Sequence, residues 1–253
     1  MHRSRWRAAL LPARTIMSPD AAMDEVRLRA EPLVPASVVL LVAALGALCL
    51  PRLLDLLGTA LAPSGRALLD AHLGVMRAAL TRLMVADRVL PPLPYVIAAL
   101  IVAAIATPAL AGRGVRGGTV MAVLAAGAAP LLVQRLGELA VVWLAPGDGL
   151  VAGDVARLPE RFNVGVAGAL ALAGVTAPGA WSVVAEAANV VGLWVIALWG
   201  WGLASLDRSA SAAAQGAALP AWPFLLAGAA YAAGYALYAA LFPVYLLLVM
   251  GAP

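Results

Sequence analysis

A pair of opposite charges inside a long apolar run is the first feature of this sequence that could do chemistry. Arg135 and Glu138 lie three residues apart with Gln134 beside them, a spacing that puts both charges on one face of a helix. Because a charge in hydrocarbon is costly unless it is paired, the pair is either a binding or proton-relay site or a structural ion pair that fixes the orientation of its helix. Glu186, with Asn189 a turn later, is interpreted as a helix-boundary residue.

A second pattern is aromatic. Five side chains recur at intervals of four, three, four and three residues, which aligns them along one face of a helix. Small residues fill the positions between them and permit close approach of another helix. The stripe either packs inside the protein's own bundle or forms a face for a partner helix, a lipid or a flat hydrophobic pigment. Its members are Tyr231, Tyr235, Tyr238, Phe242 and Tyr245.

Other patterns typical of catalysis do not occur in the sequence. His2 and His72 do not stand with acidic residues or with Cys49 in a metal-ligand pattern. No serine occupies a Gly-x-Ser-x-Gly turn, and the glycine-rich turn 112–118 does not follow a strand as a phosphate loop would. The sequence therefore predicts a protein that is not an enzyme, without catalytic residues, a cofactor or a metal.

The composition places these residues in a membrane protein. Of the 253 residues, 64% are apolar and 12% are charged, whereas about a quarter of an average soluble domain is charged. The 17 basic and 13 acidic residues leave uncharged runs long enough to cross the hydrocarbon core, which needs about 20 apolar residues. The basic residues are all arginines scattered through loops, which suits contact with anionic headgroups rather than with nucleic acid.

The uncharged runs predict an all-α fold, a polytopic membrane helix bundle with about five transmembrane helices and additional amphipathic interfacial helices. Residues 1–31 are expected to form a cytoplasmic tail with an amphipathic helix, and residues 32–253 the membrane domain. A second amphipathic helix is predicted over 64–89. The glycine-rich segment 163–176 is short for a span, and we interpret it as re-entrant or interfacial. The predicted spans are about 33–50 (ended by Pro51), 93–111, 119–144, 187–206 and 222–250.

The arginines near the first span indicate an orientation. The apolar segment 8–13 is too short for a secretory signal, so the basic tail is expected to stay attached. Met17 is an alternative start, which would leave out residues 1–16. With the N-terminus in the cytoplasm, nine arginines outside the spans face inward and seven face outward. The count slightly favours this orientation.

Four short blocks carry a family resemblance. A proline-led amphipathic segment precedes the first span, and a Glu-Pro pair opens that span. A glycine pair enters the third span with a proline part-way along it, and a tryptophan and a Gly-Leu pair lie in the fourth. In this order the blocks resemble the bacterial branch of the Yip1 family of membrane proteins. The matching positions are Pro19, Pro32, Gly117, Gly118, Pro130, Trp194 and Gly202.

This resemblance implies five spans, a cytoplasmic N-terminus and an exported C-terminus. Eukaryotic members of the family are linked to Rab GTPases and vesicle traffic, while the bacterial members have no settled role. We therefore expect a non-catalytic bacterial inner-membrane protein, an adaptor or membrane-organising factor that contacts lipids and other membrane protein subunits but not nucleic acid. Two alternatives stay open: an accessory structural subunit of a large respiratory, photosynthetic or transport complex, and a small transporter or intramembrane enzyme.

Reporter fusions test the predicted topology. A reporter enzyme that is active only outside the cytoplasm, fused after Pro253, is expected to be active, because five spans carry the chain from a cytoplasmic N-terminus to the far side. Activity of a cytoplasmic reporter at that position would instead mean that segment 163–176 also spans, or that the whole orientation is inverted.

Overall fold

A computed structural model of the chain describes residues 14–15, 18, 21–22, 25, 33–61, 93–147, 149–151, 154–155, 158–162, 165–175, 180–209 and 219–250. Within these residues the regular secondary structure is helical, apart from one antiparallel bridge between Gly165 and Asn189. The predicted all-α fold class is therefore confirmed. The named helices are α1 (Leu33–Leu61), α2 (Leu93–Ala111), α3 (Gly117–Gly127), α4 (Pro130–Leu144), α5 (Val166–Leu172), α6 (Ala180–Ala187), α7 (Val190–Ser209) and α8 (Trp222–Met250), with a 3-10 helix at Pro159–Phe162.

Five helical segments are long and apolar enough to cross a membrane, which makes the chain a multi-pass membrane protein. Two predicted spans, 93–111 and 222–250, have the bounds of α2 and α8. The predicted amphipathic helix at 64–89 and most of the tail lie outside the described residues. The five segments are Leu40–Ala60, Leu93–Ala111, Gly117–Leu144, Val190–Arg208 and Trp222–Leu241.

The predicted end of the first span at Pro51 is wrong. Helix α1 continues through Pro51 to Leu61. A proline removes one intrahelical hydrogen bond, but membrane helices tolerate this loss where neighbouring groups satisfy the backbone. Beyond the proline, Leu53 and Leu56 pack in a buried cluster that includes Leu158, so tertiary packing holds the helical continuation.

The third predicted span is interrupted rather than continuous. The chain turns at Ala128 and Ala129, and α4 begins at Pro130, where a proline suits the first helical position because its missing N–H would be unsatisfied there anyway. The Ala128 N–H still donates to the Leu124 carbonyl at 3.1 Å. The two helices thus form one broken apolar segment.

The fourth span begins three residues later than predicted, at Val190. The preceding backbone is engaged elsewhere, since the Val166 N–H donates to the Ala188 carbonyl at 3.0 Å. A Cβ at Gly165 would lie 2.5 Å from that same carbonyl oxygen, so only glycine fits. Segment 163–176, interpreted as re-entrant or interfacial, contains the seven-residue α5, which is about 10 Å long and too short to span.

Close contacts divide the chain into two units. Unit 1 comprises Met1–Leu41, Leu93–Val133 and Val190–Leu237, and unit 2 comprises Val42–Pro92, Gln134–Asn189 and Tyr238–Pro253.

Unit 1 is organised around a buried tryptophan. The Trp199 side chain on α7 is fully buried, and its Nε1–H donates to the Leu124 carbonyl of α3 at 2.7 Å. The indole lies where a Cβ of residue 127 would be, so Gly127 makes room for it. This one contact therefore provides both a hydrogen bond and close packing between two spans.

Helix α8 approaches its neighbours in unit 1 at two other glycines. Phe224 packs against Gly200 of α7, and Gly234 lies against the Pro94 carbonyl and Ala98 of α2. Small residues permit this approach of helix backbones, which is how membrane helices gain van der Waals contact.

Unit 2 has its own apolar cluster. Residues of the C-terminal half of α1 pack with the end of α4 and the segment that follows it. Two side-chain hydrogen bonds close the contact: Trp143 Nε1–H donates to the Leu48 carbonyl at 3.3 Å, and Arg52 Nη2–H donates to the Ala145 carbonyl at 3.1 Å. The cluster comprises Cys49, Leu53, Leu56, Leu57, Val142, Ala145, Val155 and Leu158.

A pair of glycines on α8 provides a matched test of this packing. Gly234→Ala is expected to lower the free energy of unfolding in detergent by about 1–3 kcal/mol, because the added methyl group overpacks the contact with α2. Gly228→Ala is expected to raise it by about 0.5–1 kcal/mol, because alanine favours the helix and a Cβ there meets nothing within 4 Å. Equal effects of the two substitutions in a denaturation series would contradict the close approach at Gly234.

Candidate functional site

Helix α4 holds the predicted charge pair in a buried position. Arg135 Nη1–H donates to Glu138 Oε2 at 2.7 Å, and Gln134 Nε2–H donates to Glu138 Oε1 at 3.0 Å. The Arg135 and Glu138 side chains are each 6% exposed. Both carboxylate oxygens therefore accept hydrogen bonds, and the charge is neutralised locally on the helix surface. The structural alternative therefore has a geometric basis in these two hydrogen bonds, and it stays a prediction that the variants below test.

A second polar cluster was not predicted from the sequence. Asp207 is buried on the last turns of α7 and forms an ion pair with Arg113, which lies in the turn between α2 and α3. The Trp222 Nε1–H, at the start of α8, donates to Asp207 Oδ2 at 3.0 Å. One carboxylate thus joins the turn after α2 to α7 and α8.

The sequence contained a signal for this cluster. Asp207 is the only acidic residue between Ala187 and Pro253. The predicted fourth span stops at residue 206, because a charged residue commonly marks the end of a transmembrane helix. The helix instead continues to Ser209. A carboxylate at the end of one apolar run is a candidate for an ion pair with an arginine in a turn between two other runs.

The side chains of the aromatic stripe on α8 differ in their burial. Tyr231 and Tyr235 are buried, and their rings stand 5.5 and 6.1 Å from the ring of Tyr95 on α2. The hydroxyl oxygens of Tyr95 and Tyr231 are 3.5 Å apart. At these two positions the stripe packs inside unit 1, as the internal alternative requires. Tyr238 is half-buried, and the side chains of Phe242 and Tyr245 lie outside the described part of the structure.

Three of the five described positions that carry the family resemblance lie at the start of a helix. Gly117 and Gly118 open α3, and Pro130 opens α4. On α7, Trp194 is half-buried and Gly202 is buried. Pro19 and Pro32 lie outside the described residues.

The described acidic and sulfur-bearing side chains do not form a metal site. Within the described residues, no group of three or more His, Cys, Asp or Glu side chains could hold a metal ion. No family model matches the chain, and no curated protein or solved structure is significantly similar to it.

The Arg135–Glu138 pair can be tested by a double-mutant cycle. Glu138→Gln is expected to lower the free energy of unfolding in detergent by about 3–5 kcal/mol, because it leaves a buried arginine without its counter-charge. Adding Arg135→Gln is expected to recover part of the loss. If the parent, the single variant and the double variant have equal stability, the two residues do not interact.

Proposed function

We propose that this protein is a non-catalytic protein of the bacterial inner membrane, with a cytoplasmic N-terminus, that acts as an adaptor or membrane-organising factor. It would act by contacts of its helices with other membrane protein subunits and with lipids. The order of the four sequence blocks that resemble the Yip1 family supports this proposal, as does the balance of arginines for the orientation.

The use of polar side chains also supports a role without chemistry. The buried indole of Trp199, the carboxylate of Asp207 and the pair formed by Arg135 and Glu138 all form hydrogen bonds within or between the protein's own helices. The bonds of Trp199 and Asp207 stabilise the positions of spans, whereas the Arg135–Glu138 pair neutralises charge on its own helix. The surfaces that face outward are then the parts of the molecule that can act.

The exposed face of α8 is the observation that carries the proposal. In the apolar stretch of 18 residues within Trp222–Leu241, 28% of the residues are buried, against 33% in Leu40–Ala60 and in Leu93–Ala111 and 61% in Val190–Arg208. Helix α8 is therefore the least buried of the five candidate spans among the described residues. Five of its exposed positions recur every three or four residues, which defines one face, and four of these five are alanines, while the exposed Leu237 and Leu241 lie beside this face. Small residues at such spacing let another helix approach closely. The face comprises Leu225, Ala229, Ala232, Ala236 and Ala240.

This face replaces the tyrosine stripe as the proposed surface for a partner. The buried rings of Tyr231 and Tyr235 face α2, whereas Ala232 and Ala236 are exposed. An adaptor in hydrocarbon gains affinity from close packing rather than from the hydrophobic effect, and the alanine positions allow the closer packing.

Enlarging the alanines tests the proposal. The double variant Ala232→Ile and Ala236→Ile is expected to express and unfold like the parent but to retain a partner subunit about tenfold less tightly, because larger side chains separate the two helices. Quantitative mass spectrometry of chains that co-purify in mild detergent measures the effect. Leu237→Ile, an exposed and nearly volume-conserving change on the same helix, is the control.

Two results would count against this function. Unchanged co-purification with the isoleucine variants would remove α8 as the contact face. A fixed ratio to the chains of one large assembly, seen for the parent in native electrophoresis, would favour the alternative of an accessory structural subunit. If Tyr235→Leu also weakens co-purification of partner chains, we expect it to lower the stability of the protein as well, since that ring packs against Tyr95.

A further inference from the structure

The spans of unit 1 carry very few charged residues, and these residues lie at helix ends. Between residues 93 and 133 the charged residues are Arg113 and Arg116, and between 190 and 237 they are Asp207 and Arg208. Both pairs fall at an end of a helix: the first in the turn before α3, the second in the last turn of α7.

Helix geometry brings the two pairs to the same level. Trp199 on α7 donates to Leu124 on α3. Arg116 precedes Leu124 by eight residues and Asp207 follows Trp199 by eight, so both lie about 12 Å along their helices from that bond. The ion pair between Arg113 and Asp207 shows that the two helices are antiparallel and that the charges meet at one end.

The charges at this end do not balance. Asp207 is already engaged by Arg113 and by the Trp222 indole. Arg116 is exposed, and the Nε of Arg208 is buried without a hydrogen-bond partner among the described residues. A buried donor of a charged group needs an acceptor to offset its desolvation. Three arginines against one carboxylate therefore leave a net positive charge and unused donors.

The turn that carries the arginines is sterically open. A Cβ placed at Gly112, Gly114 or Gly118 would meet nothing within 4 Å. The space at these three glycines is therefore open beside the arginine side chains, whereas a Cβ at Gly117 would lie 3.1 Å from the Thr107 side chain.

We infer that this end of unit 1 binds the phosphate group of an anionic phospholipid headgroup. Guanidinium groups match phosphate oxygens through paired N–H donors, and Arg116 and Arg208 would supply them. Arg113 would remain on Asp207 and hold the turn in place. We name Arg113, Arg116, Arg208 and Asp207 the arginine cluster.

The surroundings favour a lipid over a free phosphate ion. Trp222 lies beside the arginine cluster, and tryptophan is enriched at the level of lipid headgroups. One turn further along α8, Leu225 is 72% exposed and offers an apolar surface on which an acyl chain can lie. This site requires only that the chain lies in a membrane, and it is independent of the proposed adaptor role.

Lipid titration of the purified full-length protein tests the inference. Native mass spectrometry in detergent would compare phosphatidylglycerol with phosphatidylcholine of the same acyl chains. Arg116→Gln and Arg208→Gln are each expected to weaken phosphatidylglycerol binding about fivefold, because each arginine near a headgroup contributes on the order of a fivefold change in affinity. Binding of phosphatidylcholine is expected to stay unchanged. Arg208→Lys, which keeps the charge but not the paired N–H donors, is expected to retain part of the binding.

Arg52→Gln is the matched control. Arg52 also stands near the end of an apolar run, but its donors already bind Asp55 and the Ala145 carbonyl, so its loss is expected to change phosphatidylglycerol binding by less than about twofold. Equal affinity of the parent for the two lipids would overturn the inference, as would unchanged binding in Arg116→Gln, whose exposed side chain does not support the fold. Displacement of the lipid by excess inorganic phosphate, lost in the same variants, would show a site for the free ion and would overturn the assignment to a lipid.

Discussion

Hydrocarbon offers no hydrogen-bond partners, and this constraint determines how the helices of the chain are held. A polar group inside the membrane must find its partner within the protein. The Trp199 indole meets this requirement at the Leu124 carbonyl, and the Arg135 guanidinium meets it three residues away at Glu138. The first bond connects two spans, whereas the second stays on one. Bonds of the first kind position helices, and among the described residues of unit 1 they include those of Trp199 and Asp207 and the contact between the hydroxyls of Tyr95 and Tyr231.

Hydrogen bonds between spans form only where two helices approach closely, and glycine residues permit this close approach at several positions. Gly127 leaves the volume that the Trp199 indole occupies, and Gly234 lets α8 reach the backbone of α2 beside the tyrosine cluster. In unit 2, Gly137 receives the ring of Phe162 in the same way. Close packing and hydrogen bonding are therefore one requirement here: a larger residue at Gly127 would displace the indole that makes the bond.

What the sequence predicts is local, and what it does not predict depends on distant contacts. The bounds of α2, the pairing of Arg135 with Glu138 and the common face of the tyrosines follow from hydropathy and from helical spacing. The residue that covers those tyrosines, Tyr95, lies 136 positions from Tyr231, and no periodicity indicates it. Likewise the predicted fourth span stops just before Asp207, because its partner Arg113 lies 94 positions away in the turn between α2 and α3. Proline shows the same limit, since Pro51 lies within a helix and Pro130 begins one. The difference lies in what packs around each of them.

This division of polar groups has a consequence for what the molecule can do. The donors and acceptors buried along its spans are used to hold helices, so the middle of the membrane presents mainly apolar side chains, with alanines along α8. Charge in the spans of unit 1 is instead confined to one end, where the arginines outnumber the single carboxylate. Packing surfaces at mid-depth recognise other helices by shape, and a cationic end recognises headgroups by charge. The two proposed contacts act by different forces, since the alanines of α8 would pack against a helix and the arginine cluster would bind a headgroup, and they share only Leu225.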